Sequence, residues 1–185
     1  MPSLRDRRKA ETYRSIQEHA LRLFAERGFD QTTVGDVAEA AGVSSMTVFR
    51  HFPTKEDLVL ADEYDPVLAE RIAAGPAGEP LIRRVAAVLA DGLAATSPGE
   101  RELMLARLRI GLTASALRAR RWENHHRTTE AVVAALPAED PLEVRVAVGA
   151  CLAAVTTALT HWAEHGGDPH ELAVRALNLV LQQKG

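Results

Sequence analysis

At 185 residues the chain suits one compact unit or two small ones. A net charge of -3 and a pI near 6.2 exclude a uniformly basic nucleic-acid coat, and a single cysteine, Cys151, excludes an internal disulfide framework. The charge is uneven: residues 1–55 carry a net +2 and the remainder a net -5.

The chain opens on the basic cluster Arg5, Arg7, Arg8 and Lys9. A flexible arm reaching phosphate or a minor groove is one reading of it, a solvated tail the other. No apolar core follows these charges, so no secretory signal is expected. The longest uncharged run, Val146 to Thr160, falls short of the ~20 apolar residues of a membrane span. A soluble, cytoplasmic protein is the expectation. Tyr13, Ile16, Ala20, Leu23 and Phe24 then form the apolar stripe of a first helix, closed by Gly28-Phe29.

Residues 33–52 read as two short helices around a glycine turn. Val34, Val37, Ala38 and Ala41 give the first an apolar face, Thr33 can cap it, and Asp36 stands where a capping-box glutamate would. Gly42 follows at the place where a left-handed residue ends a helix, and Val43 can fill the angle between the two helices. Ser44 can cap the second, which turns Val48 and Phe52 inward and Ser45, Met46, Thr47 and Arg50 outward. Short hydroxyl side chains near a helix start, with an arginine further along, suit phosphate and base-edge contacts. This is the layout of a helix-turn-helix that sets one helix in a DNA major groove. Pro53 stops the second helix, and Thr54 is placed to cap a third, with Lys55 in its first turn. A lysine there gains nothing from the helix dipole, so a phosphate partner is the better explanation.

The ordered set Thr33, Val37-Ala38, Ala41-Gly42-Val43-Ser44, Thr47-Val48-Phe49, His51-Phe52 and Lys55-Glu56-x-Leu58 resembles the DNA-binding domain of TetR-family transcriptional regulators. The resemblance covers roughly the first third of the chain. It implies that Thr33, Thr47, Phe49, His51 and Lys55 touch the phosphate backbone, and that Ser45, Met46 and Arg50 lie nearer the bases. The family usually carries tyrosine where this chain has Phe49. The missing hydroxyl removes a phosphate hydrogen bond, which leaves Phe49 to pack.

Further along, the family's fourth helix meets Pro66, where a kink or a break at Asp65-Pro66 is expected. Glycines 75 and 78 with prolines 76 and 80 mark a hinge, dividing a DNA-binding domain at 9–72 from an effector-binding and dimerisation domain at 79–185. The second domain reads as helix throughout, for an all-α fold. One helix near Pro80 carries Ile82, Val85, Ala86, Leu89 and Leu93. Ser97-Pro98-Gly99-Glu100, Asp140-Pro141-Leu142-Glu143 and Asp168-Pro169-His170-Glu171 are three helix starts of one design, with a capping oxygen and proline at the first helical position. The stretch from Ser97 to Pro137 is expected to break near Thr113-Ala114-Ser115.

Apolar residues nearly encircle the segment Leu142–Trp162, and the last helix offers Leu172, Ala176, Leu177, Leu179, Val180 and Leu181. Two such helices suit a homodimer closed by a four-helix bundle. TetR-like proteins dimerise this way, and a two-fold dimer reads a palindromic double-stranded operator. In the middle helices Met104, Arg107, Leu108 and Trp122 are the candidate ligand contacts, with Ile110 and Leu112 beside them; plain core is the alternative. The run Leu105 to Ile110 followed by Ala116 to Arg120 is similar to a TetR subgroup with fatty acyl-coenzyme A-like effectors, whose phosphates Arg107 and Arg109 could meet. His161 and His165 stand one helical turn apart, a spacing that can ligate metal but also suits an exposed helix end. There is no nucleophile elbow, phosphate loop or HExxH, so neither enzyme activity nor a cofactor is expected, beyond a small-molecule effector. The reading is a ligand-released DNA-binding repressor; the alternative is a dimeric ligand-binding or interaction module without DNA binding.

Overall fold

The computed structural model describes residues 4–60, 65–76 and 78–182. Among them are ten helices and no strand, as the helical patterning predicts. They gather into two compact units: residues 1–61 with 102–120, and residues 62–101 with 121–185.

The first unit holds α1 (Leu4–Arg27), α2 (Val34–Ala40), α3 (Ser45–His51) and α4 (Asp57–Leu60). The stripe on α1 is buried as its spacing requires: Ile16, Ala20, Leu23 and Phe24 join Phe29, Val37, Ala38, Val48, Phe52 and Leu58 in one apolar core. Ile110, Ala114 and Leu117, contributed by residues 102–120, complete that core. Phe52 is fully enclosed, and a large-to-small change at such a site costs about 3–5 kcal/mol. Arg5, Arg7, Arg8 and Lys9 are exposed and helical. They form the first turns of α1, ahead of its buried stripe.

The helix expected from Thr54 is only α4. Thr54 and Asp57 cap it reciprocally, the Asp57 N–H donating to Thr54 Oγ1 at 3.2 Å and the Thr54 N–H to Asp57 Oδ2 at 3.0 Å. Four residues leave their carbonyls without partners inside the helix. Side chains supply them: Gln17 Nε2 donates to the Leu58 carbonyl at 3.5 Å, and Arg107 Nε to that of Val59 at 2.7 Å. Pro66 lies in the first turn of α5 (Asp65–Ala73), where its missing N–H costs nothing. Residues 61–64, between α4 and α5, lie outside the described residues.

The second unit is built on α6 (Leu81–Ala94), α9 (Pro141–His165) and α10 (Pro169–Leu181), which pack on one another, with α5 against α6. In chain order α7 (Pro98–Thr113) and α8 (Ser115–Ala135) come between α6 and α9, separated at Ala114 as the sequence suggests, and their residues 102–120 belong to the first unit. The three proline starts cap as expected. Ser97 and Glu100 form a reciprocal box, Asp140 accepts from the Leu142 N–H at 2.8 Å, and Asp168 from the Glu171 N–H at 2.9 Å.

Helix α9 buries Val144, Ala147, Val148, Cys151, Val155, Ala158 and Trp162. Its opposite side is uncovered: Leu142 and Val146 are 67% and 60% exposed, and Leu179 of α10 is 64% exposed. The full helix runs to 25 residues, longer than its uncharged stretch, and by length and composition could cross a membrane. A helix buried on one side by α6 and α10 passes the same test.

Candidate nucleic-acid interface

The geometry of α2 and α3 follows from their caps. Thr33 begins α2: its hydroxyl accepts the Asp36 N–H at 3.1 Å, while the Asp36 carboxylate takes the Thr33 N–H at 2.7 Å and the Thr33 hydroxyl at 2.6 Å. Those hydrogen bonds, the hydroxyl's first, hold the Asp36 carboxyl below the usual carboxylate range. At the far end the Val43 N–H bonds to the Ala38 carbonyl and the Gly42 N–H to that of Glu39, a Schellman closure. Gly42 sits at φ +66°, in the left-handed region that glycine enters freely. The chain thereby turns sharply into Ser44, whose Oγ accepts the Thr47 N–H at 3.1 Å and shares a 3.0 Å hydrogen bond with the Thr47 hydroxyl.

Helix α3 is anchored from beneath by Val48 and by Phe52 just beyond its end, both buried. Its outer side carries Ser45, Met46, Phe49 and Arg50, all exposed, while Thr47 and His51 are half-buried. Met46 is 75% exposed and Phe49 47%. Phe49 therefore does not pack into the core; the ring stands at the surface. No acidic residue occurs between Ser44 and Lys55, so α3 and its flanking residues carry only apolar, hydroxyl and basic side chains. Tyr13 supports the end of α3, edge-on to His51 with ring centroids 6.2 Å apart and against Phe52 at 4.4 Å.

Lys55 has a partner that its sequence position did not disclose. It lies in the turn before α4 rather than in a helix, and its Nζ stands 4.3 Å from the Phe29 ring centroid and 5.9 Å from that of Phe24. The aromatic faces attract the ammonium, so phosphate is not needed to explain the residue.

Asp57 was also missed, although its place three residues after Thr54 is a capping-box signal. It is buried, and beyond its cap Oδ1 accepts from Arg120 Nη2 at 3.0 Å. Arg120 and Arg107 thus both hold α4, one through its cap and one through its last carbonyls.

The candidate ligand contacts are divided between the two units. Met104, Arg107 and Leu108 belong to residues 102–120 of the first unit, half-buried, with Arg107 committed to the Val59 carbonyl. Trp122 belongs to the second unit and is 71% exposed, stacked on His126 with ring centroids 5.8 Å apart. Arg109 is exposed. Two grooves of the second unit are lined by other residues. One of about 450 Å³ runs along α10 past Val174, Asn178 and Leu179, and one of about 240 Å³ opens between Ala87 and Ala90 of α6 and Leu181 of α10.

His161 and His165 stack at 4.3 Å, and His165 Nδ1 is hydrogen-bonded to the His161 carbonyl within the helix. Among the described residues no three His, Cys, Asp or Glu side chains are placed to hold a metal. Burial pushes the Cys151 thiol up to about 11, and its Sγ donates to the Ile82 carbonyl at 3.7 Å.

Comparison with known proteins agrees with this architecture. Residues 16–61 match the family model for bacterial regulatory proteins of the tetR family, and residues 79–183 match that for the MftR C-terminal domain. The chain is 33% identical over 103 residues to the HTH-type transcriptional regulator TcmR of Streptomyces glaucescens, a match covering 55% of this chain and 46% of TcmR. The aligned part is thus about half the length of that relative. The fold is shared with FadR of Bacillus subtilis, solved in complex with stearoyl-CoA (TM-score 0.61, 20% identity, 94% of this chain and all of the other). It is shared equally with NalD, the secondary repressor of the MexAB-OprM multidrug efflux pump in Pseudomonas aeruginosa (TM-score 0.61, 21% identity, 94% and 96%). With one model spanning more than half of the chain and the other covering the helix-turn-helix, the chain belongs to the tetR family of bacterial regulatory proteins.

Proposed function

We propose that this chain is a cytoplasmic, DNA-binding transcriptional repressor whose residues 9–72 read an operator and whose residues 79–185 dimerise and bind an effector. The observation that carries the reading is the α2–Gly42–α3 unit, which presents an exposed helix side with an arginine and no acid. Thr33, Ser44, Ser45, Met46, Thr47, Phe49, Arg50, His51 and Lys55 form the operator face. Since Ser44, Thr47 and Thr33 spend hydrogen bonds on caps, Arg50 is the principal charged contact on α3.

The uncovered apolar side of α9 and α10 supports a homodimer, and with it a palindromic operator whose half-sites lie about 34–36 Å apart. Release by an acyl-CoA-like effector rests on the FadR likeness, since that structure holds stearoyl-CoA. Protein selected against random duplexes should enrich a two-fold symmetric site, and Thr47→Ala with Arg50→Ala should abolish the shift on it. Long-chain acyl thioesters should release the wild type. Failure to retain any duplex refutes the repressor; retention that acyl thioesters leave unchanged refutes only the effector.

A further inference from the structure

We infer that Met46 and Phe49 are specificity-determining residues that read thymine through its C5-methyl group, so that thymines under α3 are recognised by apolar contact rather than by hydrogen bonds. This deepens the operator-binding reading and rests on it. Of the hydroxyls that the helix-turn-helix offers to a duplex, three are engaged within the protein and Ser45 is exposed. Thr33 donates to the Asp36 carboxylate, and Ser44 and Thr47 bond to each other. Beside Ser45 and Arg50, the exposed surface of α3 is apolar: Met46 at 75% exposure and Phe49 at 47%.

Met46 and Phe49 stand three residues apart on one helix, so their exposed surfaces adjoin, and burying that apolar area is worth more than most surface contacts. The occupant that fits has apolar atoms on an anionic surface. Arg50 and His51 occupy the last turn of α3, and no acid lies from Ser44 to Lys55. In a major groove the only apolar group on a base edge is the thymine methyl; the other groups there are donors and acceptors. Residues at i and i+3 of a helix are neighbours about 5–6 Å apart, whereas bases along a strand are about 3.4 Å apart. Met46 and Phe49 therefore reach bases one or two steps from each other. A tyrosine at position 49 would carry a hydroxyl for a backbone oxygen. Phe49 has none, and its ring is left for the groove.

The test exchanges thymine for uracil, which removes only the methyl. On a duplex selected by the wild type, replacing all thymines of the half-sites should weaken binding. Single replacements should locate two sensitive positions per half-site, each costing roughly three- to fivefold in Kd, the worth of one buried methyl group. Met46→Ala should bind thymine and uracil equally at one of these positions, and Phe49→Ala at the other, each keeping sensitivity at its neighbour. Both side chains are at the surface, so unchanged helical circular dichroism confirms that the variants fold. Uracil duplexes bound as tightly as thymine duplexes, or variants that remain sensitive at both positions, overturn the inference while leaving the regulator intact. Wild type that retains no duplex overturns the operator reading itself.

Discussion

Asp57 should be the most costly polar residue of the first unit to lose. Its carboxylate is buried and does two jobs at once, taking the Thr54 N–H on Oδ2 and Arg120 Nη2 on Oδ1. Asp57→Ala removes a capping interaction, worth about 1 kcal/mol. It also removes a charge-assisted hydrogen bond, worth about 1.5–3 kcal/mol when well enclosed. Arg120 is itself 30% exposed, and water that reaches its guanidinium trims the second figure toward its lower end. The sum is about 2–3 kcal/mol. Asp57→Asn keeps the acceptor for Thr54 and loses only the charge, for about 1 kcal/mol. Urea unfolding followed by circular dichroism should order the midpoints wild type, Asn, Ala. In the Arg120→Met background the two substitutions should differ from each other by the cap alone. Equal losses from Asn and Ala, or an Ala loss under about 0.5 kcal/mol, would show that the carboxylate holds neither the cap nor Arg120.

Gly42→Ala should destabilise the first unit by about 1–2 kcal/mol, because the new methyl group meets nothing within 4 Å and the whole cost is the left-handed backbone. A urea midpoint unchanged from wild type contradicts that. Asp36, Glu130 and Asp168 all sit below their ordinary values: Asp36 through Thr33, Glu130 through the Arg145 hydrogen bond, Asp168 chiefly through the Glu171 N–H and then Arg101. Carboxyls so depressed stabilise the fold above their unfolded values, 3.8 for Asp and 4.5 for Glu, and lose that contribution as pH falls through the folded ones. Thermal stability should therefore decline below about pH 4, and less steeply in Asp168→Asn. Cys151, with its thiol pushed up to about 11, should resist thiol reagents near pH 8 in the folded protein and react fully once unfolded. Val146→Glu with Leu179→Glu should leave the helical signal unchanged and convert a dimer to monomer by light scattering.

The helix-turn-helix was legible because its determinants are local. Capping oxygens, one glycine and two inward apolar residues act within a few positions of one another, and all of them recur in the structure. Proline starts at 98, 141 and 169 were readable for the same reason. What escaped was what distant segments do to a side chain. Lys55 finds Phe29 and Phe24 only after α1 folds back on it, and Arg107 meets the Val59 carbonyl across 48 positions. Trp122 reads in the sequence as enclosed, in a pocket or in plain core, because an apolar ring in a helical pattern usually is, and nothing in its neighbours tells of its exposure. For Arg5 to Lys9 the sequence leaves an arm and a solvated tail open, since charge density alone cannot report that a helix continues into water.

The first unit is discontinuous along the chain, and this orders events at the ribosome. Its core lacks Ile110, Ala114 and Leu117 until residues 102–120 are made. Synthesis runs at about 5–20 residues per second, so the segment that carries α1 to α4 waits several seconds for the last wall of its own interior. Nascent helices whose apolar core still lacks those three residues are what a chaperone would meet during that interval. A fragment ending after α4 should behave as a permanent version of it, helical in part yet prone to aggregate.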